Sequence, residues 1–157
     1  MELDEIIYAA LTADSELMEM CGYVAPTSQN DQGTPARIKS TCFEVPPTDA
    51  DNTPLPYIII TDDPFQNEQG TKDDEWESDW DSVQASVEIS AASPKEVKQL
   101  RRMVRHAVAV YVGNMTENQP ELRSLSNEGI QWDWTKPCYW DRLHYQCDMP
   151  NDWDDED

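Results

Sequence analysis

The sequence predicts an α+β fold: a mostly antiparallel sheet of four to five strands, with an N-terminal helix and a second helix at about 93–113 packed on one face. Three observations predict it. Apolar residues recur at helical spacing in two stretches, Leu3 to Met20 and Val97 to Tyr111. Apolar and polar residues alternate strictly from Ser82 to Ala91, and short β-branched or aromatic runs stand elsewhere between turn-forming residues. The 157-residue length suits one core and hardly two.

In chain order, Leu3, Ile6, Ile7, Ala10, Leu11, Leu17 and Met20 mark a helix with a break at Thr12-Ala13-Asp14-Ser15. Asp14 or Ser15 caps its second part, and Gly22 is placed to end it. Tyr23-Val24 starts a short strand that Pro26 stops, and the polar stretch from Thr27 to Pro35 is loop. Arg37 to Val45 alternates, Ile38, Ser40, Cys42 and Glu44 against Lys39, Thr41, Phe43 and Val45, and reads as a strand. Tyr57-Ile58-Ile59-Ile60 suits a strand covered on both faces. Residues 62–81 form an acidic loop. In the strand that follows, Val83, Ala85, Val87 and Ile89 share one face.

The next helix carries its own punctuation. Ser93 is the N-cap, Pro94 takes the first helical position, Glu96 completes a capping box and Gly113 closes the helix. Val97, Leu100, Val104, Ala107, Val108 and Tyr111 form its buried stripe. After a polar loop, Ile130, Trp132 and Trp134 alternate, Thr135-Lys136-Pro137 turns, and Tyr139, Leu143, Tyr145 and Cys147 line a returning strand. The expected organisation is one domain over 1–147 and an acidic tail over 148–157. There is no internal repeat.

Charge is the strongest global feature, with 32 acids against 11 bases for a net of −21. Such a surface repels phosphate backbones and anionic lipid, which argues against direct nucleic-acid binding and a membrane partner. No segment has the apolar length to span a bilayer. Met1-Glu2-Leu3-Asp4-Glu5 lacks the basic start and apolar run of a secretory signal, so the expectation is a protein made in a cytosol. None of Cys21, Cys42, Cys138 and Cys147 forms a close C-x-x-C pair, so a zinc site fails on spacing and buried thiols are expected. Cys138 and Cys147 lie nine positions apart, an odd spacing that places them on opposite faces of one strand.

The sequence carries little that could support catalysis. His106 falls beside Arg102 and Arg105 on the helix, His144 lies on the last strand, and neither has a nucleophile turn near it. Five glycines leave little material for a phosphate loop. Read from Asp73, the acidic stretch places Ser78 and Gln84 where a calcium loop needs glycine and glutamate. Paired carboxylates for glycoside cleavage have no specificity in so acidic a chain. No enzyme activity, metal or cofactor is expected.

Two features point to partners. Lys95, Lys98, Arg101, Arg102 and Arg105 give the 93–113 helix a net of +4 against Glu96, so the remainder carries −25 of the total −21. Lys95, Lys98, Arg102 and Arg105 follow helical spacing and form one basic stripe. The stripe is either a solvated face paired with the chain's own acids or a contact for an acidic neighbour or a DNA passage. Trp76 and Trp80 stand among Glu75, Glu77, Asp79 and Asp81, too acidic a setting for core, and are expected to anchor a partner.

Several local sequences resemble the tail completion, or tail terminator, proteins of long-tailed bacteriophages. Ala10-Leu11-Thr12-Ala13-Asp14-Ser15-Glu16-Leu17, then Gly22-Tyr23-Val24-Ala25-Pro26, is similar to that family's N-terminal helix, glycine, short strand and proline. Pro56-Tyr57-Ile58-Ile59-Ile60, the strand Val83 to Ile89, the helix Ser93 to Gly113 and the hairpin Ile130 to Cys147 follow in the family's order. The acidic segment 62–81 and the acidic tail depart from it. The resemblance implies a structural virion protein without catalytic residues. It would form a homo-oligomeric ring, often of six subunits, that caps the tail tube and joins it to head and neck proteins. The alternative is an acidic DNA mimic that inhibits a host DNA-binding protein. The net charge favours that alternative and the basic stripe opposes it.

Overall fold

The computed structural model describes residues 2–41, 43, 45–63, 80–117 and 119–150. Their order is α1 (Leu3–Thr12), α2 (Ser15–Met20), β1 (Ile38–Lys39), β2 (Tyr57–Asp63), β3 (Trp80–Ala91), α3 (Pro94–Gly113), β4 (Glu121–Ser124), β5 (Gln131–Asp133) and β6 (Cys138–Pro150). The fold is α+β, as expected, with one strand more than the upper expectation; the N-terminal helix is divided in two at its expected break.

The division follows from capping. Asp14 accepts a hydrogen bond from the Leu17 N–H at 3.0 Å, so it starts a new helix where α1 ends. Gly22, at φ +90, stops α2. Its N–H bonds the Glu19 carbonyl and the Tyr23 N–H bonds the Met18 carbonyl, the Schellman pattern. A side chain at Gly22 would also collide with the Arg37 guanidinium.

The sheet runs β1-β2-β3-β6-β4, with β5 also on β6. Every pairing is antiparallel except the parallel β1–β2 pair. Register sorts the faces. Ile60, Val87 and Leu143 lie side by side across β2, β3 and β6, as do Ile58, Ile89 and Asp141, while Ala85 lies opposite Tyr145. Leu3, Ile6, Ile7, Leu11 and Leu17 from α1 and α2, with Val97, Leu100 and Val104 from α3, cover this face and complete the core. Each such aliphatic side chain contributes about 1.5–3 kcal/mol by burial. Tyr57 through Ile60 are all buried, which bears out a strand covered on both faces. Cys138 and Cys147 are both buried although β6 turns them to opposite sides.

Five features differ from the sequence reading, and the first is Tyr23-Val24, expected as a short strand, which forms only an isolated Val24–Thr34 bridge. The strand expected over 37–45 is only Ile38–Lys39. Its alternation put Ile38 on one face with Ser40 and Glu44, and its other strongly apolar residues, Phe43 and Val45, on the opposite face. Beyond Lys39 the chain leaves the sheet, and Phe43 packs edge-on against Tyr57 at 4.9 Å. Asp62, Asp63, Trp80 and Asp81 belong to strands rather than to the acidic loop. The long β3–β6 ladder continues past the apolar residues, pairing Trp80 with Pro150 and Asp81 with Met149. The same ladder carries β6 to Pro150, past the Asp148 boundary of the expected tail. Glu121–Ser124, expected as polar loop, forms β4 against β6. Cys42, Glu44, the loop residues Glu75, Trp76, Glu77 and Asp79, and Trp153 lie outside the described residues.

A candidate assembly surface

α3 is fixed from below and from its start. Ser93 Oγ accepts from the Glu96 N–H at 3.2 Å, and Val97, Leu100, Val104, Ala107 and Val108 are buried against the sheet and α1. With that stripe buried, Lys95, Lys98, Arg102 and Arg105 are exposed on the opposite arc.

Arg101 behaves differently. One residue along a helix is a rotation of roughly 100°, and it turns Arg101 toward β6. There Arg101 Nη1 donates to Asp141 Oδ2 at 2.8 Å. Asp141 is fully buried, on the core face beside Ile89. It also accepts from Asn127 Nδ2 at 2.8 Å, the Gly129 N–H at 2.9 Å and the Arg142 N–H at 2.7 Å. A buried carboxylate is tolerated only with such complete pairing. Asn127 and Gly129 come from the segment between β4 and β5, both of which lie against β6. Six residues there replace four on the β6 side between the pairs Ser124–Tyr145 and Gln131–Trp140. The excess bulges, Gly129 takes φ +98, and Asp141 fills the gap in the ladder. Arg105 Nη2 joins the cluster from above, donating to Asn127 Oδ1 at 3.2 Å.

The helix-free face of the sheet balances its own charges. Glu88 on β3 meets Arg142 at 2.8 Å and Lys136 at 3.2 Å. Glu128 meets Arg142 at 3.5 Å and His144 at 2.9 Å. The Glu88 partnership is strong enough to raise Arg142 above its ordinary value. Arg123 reaches Asp148 at 3.6 Å. Arg37 Nε donates to the Pro56 carbonyl at 2.8 Å, and Lys39 lies 4.3 Å over the Phe43 ring. Among the described residues, this leaves Lys95, Lys98 and Arg102 without a carboxylate within 4.0 Å, in a chain of net −21.

Exposed aromatic surface lies at the β5–β6 turn. Trp134 is 83% exposed and Trp132 37%. They meet edge to face at 5.6 Å, and Trp132 packs on Tyr139 at 4.7 Å. Asp133 Oδ1 clamps the turn, accepting from the Thr135 N–H at 2.9 Å and its hydroxyl at 2.6 Å. These bonds hold the Asp133 carboxyl below its ordinary value.

Two shallower features add no chemistry. An open cleft of about 580 Å³ between the C-terminal halves of α1 and α3 is lined by Ala10, Asp14, His106, Val110, Tyr111 and Met115. Burial pushes the Cys21 thiol up to about 12 and the Cys147 thiol up to about 11, which removes them as nucleophiles near neutral pH. Among the described residues no three His, Cys, Asp or Glu side chains gather to hold a metal ion, and no helix is long and apolar enough to cross a membrane.

The structure thus splits the five bases of α3. Lys95, Lys98 and Arg102 share a free outer flank, Arg101 is built into the fold, and Arg105 stands between. Of the expected acidic-loop contacts, only Trp80 falls within a described element, the first residue of β3. Sequence reasoning missed Asp141, although it stands in the gap between Tyr139 and Leu143 on the alternating face. It also missed the outward display of Trp132 and Trp134, whose alternation with Ile130 resembles that of a buried strand. No protein-family model and no curated protein matches the chain.

Proposed function

We propose that this chain is a structural virion protein, a tail terminator subunit whose copies close into a ring on the tail tube and join it to the head and neck. One observation carries the reading: Lys95, Lys98 and Arg102 stand exposed and without a carboxylate among the described residues, while acids outnumber bases 32 to 11. Three like charges at helical spacing repel one another by a few tenths of a kcal/mol per pair. An acidic chain has ample means to neutralise them, and elsewhere it does so, at Glu88 and Glu128. A cationic face left open suits a neighbour that is itself acidic, and another copy of this chain is such a neighbour. A head-to-tail contact between unlike patches gives a ring where the rotation between copies closes. The family resemblance supplies the tail as its setting.

Sedimentation at low and high salt, with imaging of the particles, tests this. Closed rings of uniform size that loosen as salt screens exposed charge are expected. The net charge favours one other reading, the DNA-mimic inhibitor. A monomer or dimer that competes with DNA for a host protein would establish that reading and exclude the ring.

A further inference from the structure

Exposed ion pairs are individually weak and screened by salt, so a lasting contact between copies needs an apolar anchor beside them. Trp134 is the most exposed large hydrophobic side chain among the described residues, at 83%. It is also held in place: Trp132 supports it at 5.6 Å, Tyr139 supports Trp132 at 4.7 Å, and Asp133 clamps the turn that carries it. A preorganised aromatic side chain gives up little freedom on binding.

The occupant follows from how this chain pairs its cations with rings. Lys39 lies over Phe43 at 4.3 Å and Arg142 over Trp140 at 5.3 Å. Among the described residues, that leaves the Trp132–Trp134–Tyr139 cluster with no cation, and Lys95, Lys98 and Arg102 with no acid, ring or hydrogen-bond acceptor. Indole faces attract ammonium and guanidinium groups, and the long stems of Lys and Arg cover apolar surface. We infer that the Trp132–Trp134 turn of one copy docks on the Lys98–Arg102 flank of α3 in the next copy. This rests on the ring reading and specifies its contact. The two patches are unlike, so the contact is heterologous and leaves one free patch at each end of any open chain of copies.

Two variants and their mixture test it. Trp134→Ala removes the donor patch and keeps α3; the paired change Lys98→Glu and Arg102→Glu removes the acceptor patch and keeps the turn. Each variant alone is expected to raise the dissociation constant between copies at least about tenfold. An equimolar mixture is expected to form heterodimers and stop there, since one intact contact remains per pair. Trp134→Phe, which keeps a ring, is expected to recover much of the assembly, which separates ring chemistry from any effect on folding. If wild type forms rings while Trp134→Ala assembles within about twofold of it, or while the mixture stays monomeric, the inference fails and the ring stands. A wild-type chain that is monomeric at every concentration and salt overturns the ring reading itself.

Discussion

The two flanks of α3 carry the same chemistry in different surroundings. On the flank over β6, Arg101 meets a fully buried carboxylate at 2.8 Å, and Asn127, Gly129 and Arg142 complete that carboxylate's hydrogen bonds. On the outer flank, Lys95, Lys98 and Arg102 face solvent, with no acid in reach among the described residues. A charge with a built counter-charge belongs to the fold, because removing it strands partners in low dielectric. A charge without one contributes almost nothing to folding and is available to a neighbour. Five bases that the sequence presents as one group therefore divide into a structural set and an exposed set open to a neighbour.

The largest effect expected from breaking this comparison is at the inner flank. Asp141→Leu leaves Arg101, Asn127 and the Gly129 N–H without their acceptor and should destabilise the chain by about 3–5 kcal/mol. Arg101→Ala leaves the buried carboxylate one charged donor short and should cost somewhat less, because Arg101 keeps 23% of its side chain exposed. Urea unfolding of the isolated chain measures both. Equal stability of Asp141→Leu and wild type would remove the distinction between the flanks.

Alkaline titration sharpens it next. Burial raises Cys21 and Tyr145 to about 12 and Cys147 to about 11. All three are neutral as acids, so a folded value above the unfolded one favours the fold while they stay protonated. Their contribution is complete below the unfolded values near 9 and 10 and is lost as pH rises toward 11 and 12. Stability should be flat in these groups up to about pH 8 and fall steeply between about pH 9 and 12. A pH series of melting curves follows it, with a native thiol assay showing Cys21 and Cys147 unreactive at pH 8.

A smaller effect acts on both flanks together. Ser93→Ala removes the cap that holds the start of α3 and should cost about 1 kcal/mol. Ser93→Asp, which restores an acceptor, should recover it. A melting temperature unchanged by Ser93→Ala would show that packing of Val97 and Leu100 alone fixes the helix start.

How far these flanks could be read from sequence depends on which contacts are local. α3 was legible from Ser93 to Gly113 because its cap, its proline and its apolar stripe lie within the helix itself. The same holds for the runs Tyr57–Ile60 and Ser82–Ala91, whose alternation reports their own faces. Arg101 and Arg102 were not separable, since the acid that distinguishes them lies 40 residues away. β4 escaped notice because Glu121-Leu122-Arg123-Ser124 has one apolar residue and is a strand only by pairing with β6. Residues 37–45 erred the other way, alternating in sequence although the chain leaves β2 after Lys39, short of the positions that Ile60 to Asp63 still offer. Asp141 was the one readable clue to the inner cluster, a charge at a position where alternation calls for an apolar side chain.

The most direct test of the division compares neighbours. Arg101→Glu and Arg102→Glu are made separately, and each is measured for melting temperature and for mass in solution. Arg102→Glu is expected to melt within about 0.5 kcal/mol of wild type yet lose assembly, while Arg101→Glu is expected to lose the fold itself. If Arg102→Glu assembles as wild type at low salt, or destabilises the chain as much as Arg101→Glu, the outer flank has no separate role in assembly.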